Sequence, residues 1–241
     1  TPTEDPAYED VQKNSIDFTK IKIVNDQMGY YPDGEKTSRL GVELSKSNGK
    51  VDFDWLKRNG IDFVMLKIGG RGYESGVISL DEQFTDYIEA AKKADLDIGV
   101  TFYSQAVSVT EAVDEANFVI NQLQSYTIRY PVALVMEEIT NDTSRTDTLS
   151  VDQRSRIAEA FLQTIQYDGY HAILYGNEQW LSEKIRPEGL LTNYDVLLND
   201  TNPLPEYPYE FKMWRYATDI SLAGIENGGS YIISFVDYSM K

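Results

Sequence analysis

The chain has 241 residues, 41% hydrophobic and 12% aromatic, which fits one large domain or two small ones with a packed core and excludes a disordered chain. Its net charge of −17, from 39 acidic and 22 basic residues, excludes nucleic acid and anionic membranes as expected partners. The absence of cysteine excludes disulfides, thiol catalysis and Cys-ligated metal.

Residues 1–38 are polar, acidic and poorly periodic, and "DQMGYYPDGEKTS" is rich in turn signals. They read as an N-terminal extension or linker that packs on, or tethers, a main domain at 39–241. The opening "TPTEDPAYEDVQKNS" reads as the start of a mature or truncated chain whose leader is missing. From "LGVELS" (40–45) onward, strands and helices alternate. "DFDWLKRNG" (52–60) predicts a short helix capped by Gly60, and "DFVMLKIG" (62–69) a buried strand. "LDEQFTDYIEAAKKADL" (80–96) has apolar residues at helical spacing. "DIGVTFYS" (97–104) is a strand, and "VTEAVDEANFVINQLQSY" (109–126) a long amphipathic helix. "YPVALVME" (130–137) is a strand, followed by a helix over 150–169 with Ser150 as N-cap. "YHAILYGN" (170–177) is a strand and "EQWLSEKI" (178–185) a short helix. The runs "YDVLLN" (194–199), "FKMWRYA" (211–217) and "SYIISFVDYS" (230–239) follow as strands with little helix between them.

Five strand–helix units with continuous apolar strands predict a parallel sheet covered by helices. Three further strands without helices predict an α/β, TIM-like barrel with an irregular last part. A doubly wound open sheet is the alternative, but no strand is followed by a GxGxxG phosphate loop. In such a barrel the site lies at the C-terminal ends of the strands. That rule singles out Glu43, Lys67 to Gly70, Tyr103, Ser104, Glu137, Tyr175 to Asn177, Asn199, Trp214 to Tyr216, and Asp237. Three of these positions carry acids on separate strands: Glu43, Glu137 and Asp237. Converging carboxylates suit glycoside hydrolysis, in which one protonated acid serves the leaving oxygen and a second, ionised group stabilises positive charge. Acids also end strands as solvated caps, and for any one of them alone that reading is the stronger. The 17 tyrosines suit a sugar-binding cleft, since the ring stacks on a pyranose face, and suit barrel packing equally. The single histidine, His171, fits packing or solvent rather than a metal site or a Ser-His-Asp triad. No apolar run approaches the ~20 residues of a membrane span.

Taken together, the segments from about Leu40 to the C-terminus resemble glycoside hydrolase family 25, the cell-wall muramidases or Chalaropsis-type lysozymes. "LGVELS" is similar to the opening strand, Gly-(Ile/Val)-Asp-Val-Ser. "VDFDWLKRNGIDFVMLKIG" is similar to the I-D-W … G-I-D-F-V stretch, and "DEQFTDYIEAAKKADLDIGVTFYS" to the Asp-x-x-Phe helix and the strand after it. "YPVALVMEEITNDTSRTDTLS" corresponds to the strand bearing a catalytic Asp-x-Glu, and "FKMWRYA…GI…FVDYS" to Trp-Gln-Tyr and a closing Val-Asp.

The resemblance implies an irregular (β/α)5(β)3 barrel and cleavage of the β-1,4 bond between N-acetylmuramic acid and N-acetylglucosamine. It implies no cofactor and no metal, a peptidoglycan or related glycan partner, and a secreted or cell-surface bacterial protein; a monomer is expected. Glu137 falls on the catalytic glutamate, Asp237 on the late-strand aspartate, and Glu43 where an aspartate is usual. Tyr103, Tyr175, Asn177, Trp214, Arg215 and Tyr216 are the expected sugar contacts. Val135 falls on the first acid of Asp-x-Glu, so that acid is missing. Residues 135 and 137 share one strand face, so Glu138 cannot replace it without a register slip. Arg215 stands in place of glutamine, Val196 where a cleft-lining tryptophan is common, and Thr101 where tyrosine is common. These departures put catalytic competence in doubt. A non-catalytic glycan-binding barrel and a glycosidase of altered specificity are the alternatives.

Overall fold

A computed structural model describes residues 6–240. The elements in chain order are β1 (Ile21–Val24), β2 (Gln27–Tyr30), β3 (Arg39–Leu44), α1 (Phe53–Arg58), β4 (Phe63–Arg71), β5 (Ile78–Leu80), α2 (Phe84–Lys93) and β6 (Asp97–Tyr103). They continue with α3 (Val109–Leu123), β7 (Val132–Val135), α4 (Val151–Tyr167), β8 (Ala172–Gly176), β9 (Asp195–Asn199), β10 (Met213–Ile220) and β11 (Gly229–Ser234). The large sheet runs β3-β11-β10-β9-β8-β7-β6-β4, with β5 added at the edge of β4, and a β3–β4 pairing closes it into a barrel. β3, β4, β6, β7, β8, β9 and β10 are joined by parallel pairings, while β11 is antiparallel to both β10 and β3. This is the expected irregular (β/α)5(β)3 barrel. Its fifth helical connection is a single wide π-type turn, Trp180–Lys184, where a short α-helix was expected.

The helix ends follow local chemistry. Ser150 accepts from the Gln153 amide at 3.2 Å, and the Gln153 side chain answers the Ser150 amide at 3.0 Å, a reciprocal cap at the start of α4. Asp52 caps α1 through the Trp55 amide at 2.8 Å. Gly60 then turns the chain at φ +86°, a left-handed value that favours glycine after a helix.

Side chains alternate across each strand. Met65, Ala133, Val135, Ile173, Tyr175, Leu197, Met213 and Ile232 point inward and fill the barrel. Leu66, Leu134, Leu174, Val196, Leu198 and Ile233 point outward into the main core. Phe63 and Tyr130, stacked at 4.0 Å, close the lower end, where the parallel strands begin, and Tyr238 packs edge-on against Tyr130 at 5.6 Å. Gly41 permits that plug, because a Cβ there would stand 2.3 Å from the Phe63 ring. His171 lies exposed beside it, 5.5 Å from Tyr238.

The last three strands carry no helices, so their outer face needs another cover, and the N-terminal extension provides it. Tyr8 stacks on Tyr209 at 4.6 Å, and the Glu210 amide donates to the Gln12 carbonyl at 2.8 Å. Phe18 packs edge-on against Trp214 at 6.1 Å, and Tyr30 against Phe235 at 5.5 Å. The Met28 amide donates to the Tyr216 hydroxyl at 3.1 Å. β1 and β2 form a hairpin whose turn, Asn25 and Asp26, has φ of 52° and 63°, the pairing that suits strand twist. Among the described residues, no helix is long and apolar enough to cross a membrane.

Candidate active site

The upper end of the barrel, where the parallel strands finish, carries two glutamates. Glu43 is the next-to-last residue of β3 and points inward, in register with Met65. Its side chain is only 10% exposed. It accepts from the Tyr175 hydroxyl at 2.9 Å and lies 3.0 Å from Nε of Arg215. Burial pushes the Glu43 carboxyl above its ordinary range, and Arg215 and Tyr175 offset part of that rise. Glu137 follows the end of β7 and is half-buried. Its Oε1 accepts from Asn199 Nδ2 at 3.3 Å, and Asn199 Oδ1 in turn accepts from Arg215 Nη1 at 3.1 Å. Arg215 Nη2 donates to the Ser230 hydroxyl at 3.1 Å. Arg215 thus touches one carboxylate directly and reaches the other through one amide.

Three adjoining hollows cross this end. One, about 300 Å³, is lined by Glu137, Asn177, Asn199 and the ion pair of Glu138 with Lys184, whose charged atoms are 2.8 Å apart. The middle one, about 230 Å³, is lined by Glu43, Arg215, Asn48, Lys67 and Tyr103. The third, about 240 Å³, shares Lys67 and Tyr103 with the middle one and extends past Lys46 and Asp81. Together they form an elongated trough rather than one compact pocket. A larger hollow of about 650 Å³ lies on the flank, between the β1–β2 hairpin and Trp55.

Val135 lies at the root of the trough. Its register partners are Tyr103 on one side and Tyr175 on the other, and it is fully buried. A methyl-bearing side chain therefore occupies the place where the resemblance leads one to expect a carboxylate. Beside it Thr101 is also fully buried, and its hydroxyl has no partner among the described residues.

Five of the nine expected site residues, Glu43, Glu137, Tyr103, Asn177 and Arg215, line the trough. The other four do not. Asp237 follows β11, and because β11 runs antiparallel, its end meets the beginning of β3, with Ser234 opposite Arg39. Asp237 therefore sits at the lower end of the barrel, where it accepts from Arg39 Nε at 2.9 Å and from the Ser239 hydroxyl at 2.6 Å. Trp214 and Tyr216 point outward, both are buried, and the N-terminal extension covers them. The Trp214 indole donates inside the fold to the Asp200 carbonyl at 2.6 Å. Tyr175 is 1% exposed and lies under the trough, holding Glu43 rather than facing a ligand. Val196 likewise points outward into the core, so that position cannot line the cleft. Glu138, past the end of β7, is exposed and paired with Lys184 on the wall of the same hollow as Glu137. Asn199 and Lys67, which the strand-end rule marked without a role, are the additions.

The place of Asp237 has a measurable consequence. Burial alone would raise its carboxyl, but the bonds from Ser239 and Arg39 outweigh that and hold it below its ordinary 3.8. A carboxyl lowered by folding stabilises the fold above its unfolded value, and that contribution is lost as pH falls through the folded value. Asp237→Asn is expected to cost about 1 kcal/mol at neutral pH and to flatten the loss of stability on acidification. Denaturant melts across the acid range check both.

A closed barrel that opens a carboxylate-bearing trough at the C-terminal ends of its parallel strands is an architecture that barrel glycoside hydrolases share. The family model of glycosyl hydrolases family 25 matches residues 42–225, and the chain belongs to that family. No curated protein matches the chain. Among solved structures it is similar to the modular autolysin LytC from Streptococcus pneumoniae, in complex with a synthetic peptidoglycan ligand. That likeness has 18% identity and a TM-score of 0.74 over 88% of this chain and 51% of that one. The chain therefore spans about half the length of that autolysin. It is also similar to the spore cortex lytic enzyme SleM of Clostridium perfringens, at 16% identity and TM-score 0.71 over 84% of this chain and 68% of that one. A bacterial lysozyme from Streptomyces coelicolor shows 16% identity and TM-score 0.67 over 80% of this chain and 90% of that one. At these identities the likenesses establish the fold.

Proposed function

We propose that the chain binds peptidoglycan strands along the trough and cleaves their N-acetylmuramic acid to N-acetylglucosamine β-1,4 bond slowly. The observation that carries this reading is the unequal state of the two acids. Among the described residues no ion pair holds Glu137, whereas Glu43 lies against Arg215. Glu137 is placed to give a proton to a leaving oxygen from the open side of the trough. The second requirement, an ionised group free to stabilise positive charge on the sugar ring, is poorly met. Glu43 is matched by a guanidinium, and Val135 supplies no charge. Loss of one such stabilising group costs about 3 kcal/mol, or ~100-fold in rate.

Family membership supports the reaction class, and the peptidoglycan-bound autolysin supports the ligand class. Wall glycan as target places the site of action outside the cell or at its surface. The fully buried Val135 favours a second reading, a barrel that binds glycan and never cuts it. The two readings separate in one assay: release of reducing ends from purified sacculi and defined muropeptides, with co-sedimentation measured alongside. Binding with slow release fits the first reading, and binding without release fits the second. Rapid lysis would overturn the low-turnover part, and absence of binding would overturn the reading as a whole.

A further inference from the structure

The middle and third hollows share one wall, and the cation on that wall is Lys67. Its ammonium stands 4.2 Å from the centre of the Tyr103 ring, which holds it at the junction of the two hollows. The charges around it are otherwise matched. Glu43 is paired with Arg215, Arg71 with the buried Glu115 at 2.6 Å, and Lys46 with Glu82 at 2.7 Å. The Asp81 carboxylate accepts from the backbone amides of Lys46 at 3.1 Å and Gln83 at 3.0 Å. Asp219 stands exposed on the far rim of the middle hollow. Among the described residues, Lys67 is the one cation lining these two hollows without a carboxylate partner.

We infer that Lys67 is the anion-recognition residue of the trough and takes a carboxylate carried on the glycan strand, one or two sugars from Glu137. The inference rests on the glycan reading above and adds a direction to it. A chain of net charge −17 repels an anionic ligand at long range, so a strand bearing carboxylates needs a local positive site to settle. The end of the trough with Glu137, Asn177 and Asn199 offers acid and amide groups, and its one lysine, Lys184, is already paired. The end with Lys67 offers an ammonium without an ion-pair partner among the described residues, Glu43 feeling its charge only at longer range. A strand with a neutral and an anionic substituent on alternate sugars is thereby set in one register over Glu137. The carboxylate has two possible sources, the lactyl group of the sugar itself and the peptide attached to it.

Calorimetry separates these with three tetrasaccharides of alternating N-acetylglucosamine and N-acetylmuramic acid. The first has free lactyl carboxylates, the second has them methyl-esterified, and the third has them amide-linked to a short acidic peptide. The wild-type chain is expected to bind one of the charged ligands about tenfold more tightly than the ester. That preference should shrink as salt is raised. Preference for the first ligand identifies the sugar as source, and preference for the third alone identifies the peptide. Lys67→Met keeps the aliphatic stem and should bind charged and esterified ligands alike, whereas Lys67→Arg should retain the preference. Equal affinities in the wild type, or an undiminished preference in Lys67→Met, would overturn the inference while leaving glycan binding intact. Failure of all three ligands to bind would overturn both readings together.

Discussion

Val135→Asp is expected to raise reducing-end release from muropeptides by at least about tenfold and to lower the stability of the fold by about 2–4 kcal/mol. Both effects follow from one place in the structure. Position 135 faces inward at the root of the trough, with Tyr103 and Tyr175 as its register partners. A carboxylate there shares the strand face of Glu137, where a group that stabilises or orients the reacting sugar is otherwise lacking. The position is fully buried, so the new carboxylate loses its water. It also adds a second negative charge near Glu43, which already holds the Tyr175 hydroxyl. The gain in rate and the loss in stability should therefore appear in the same variant, measured by reducing-end release and by a urea melt. Adding Glu137→Gln to that variant should return turnover to background, because the proposed proton donor is then removed. A folded Val135→Asp variant with no gain in rate would mean either that the other departures, the Arg215–Glu43 pair among them, also disable the site or that Val135 is not the lesion.

Arg215→Gln carries the second large effect. It is expected to cost about 3 kcal/mol near neutral pH, because it leaves Glu43 buried without its cation. The pH dependence gives the assignment. Folding raises the Glu43 carboxyl above its ordinary 4.5, burial being the main cause. Stability from a raised carboxyl is fully present below the unfolded value and is lost as pH rises through the folded value. Removing Arg215 removes a charge that lowers Glu43, so its folded value moves further up and the loss extends to higher pH. Urea melts at about pH 5 and about pH 8 should therefore show a larger deficit at the higher pH. Glu43→Gln in the same chain should restore most of the deficit, since a neutral pair of similar size replaces the ion pair. An equal deficit at both pH values would mean that Arg215 acts through packing and not through its charge.

Much of the fold is legible in the sequence for a local reason. The apolar runs at 62–69, 97–103 and 130–135 are strands because both faces are buried, and the helical spacing at 109–123 and 150–167 marks the faces that cover them. Glu43 and Glu137 are legible for the same reason: each polar side chain sits at or just past the end of a buried strand, on its inward face. Asn199 and Lys67 lie at strand ends too, but their roles depend on what faces them across the barrel. Asn199 connects Glu137 to Arg215, and Lys67 rests on Tyr103. Those partners are far apart in sequence, and no local pattern pairs them.

The sequence by itself determined the α/β barrel class, the succession of strands and helices along the chain, and two of its three singled-out acids, Glu43 and Glu137, as lying at the upper end. It also determined that Val135 and Glu137 share a face, because alternation along a strand is a local property. Tertiary structure alone decided the direction of β11 and the identity of its neighbours. By running antiparallel between β10 and β3, that strand carries Asp237 to the lower end of the barrel. It alone decided as well which face of β10 meets water. The N-terminal extension covers the outer face, so Trp214 and Tyr216 become core while Arg215 looks into the trough. Strand direction and coverage are set by hydrogen bonds and packing between segments distant in the chain, and a one-dimensional pattern of polar and apolar residues does not contain them.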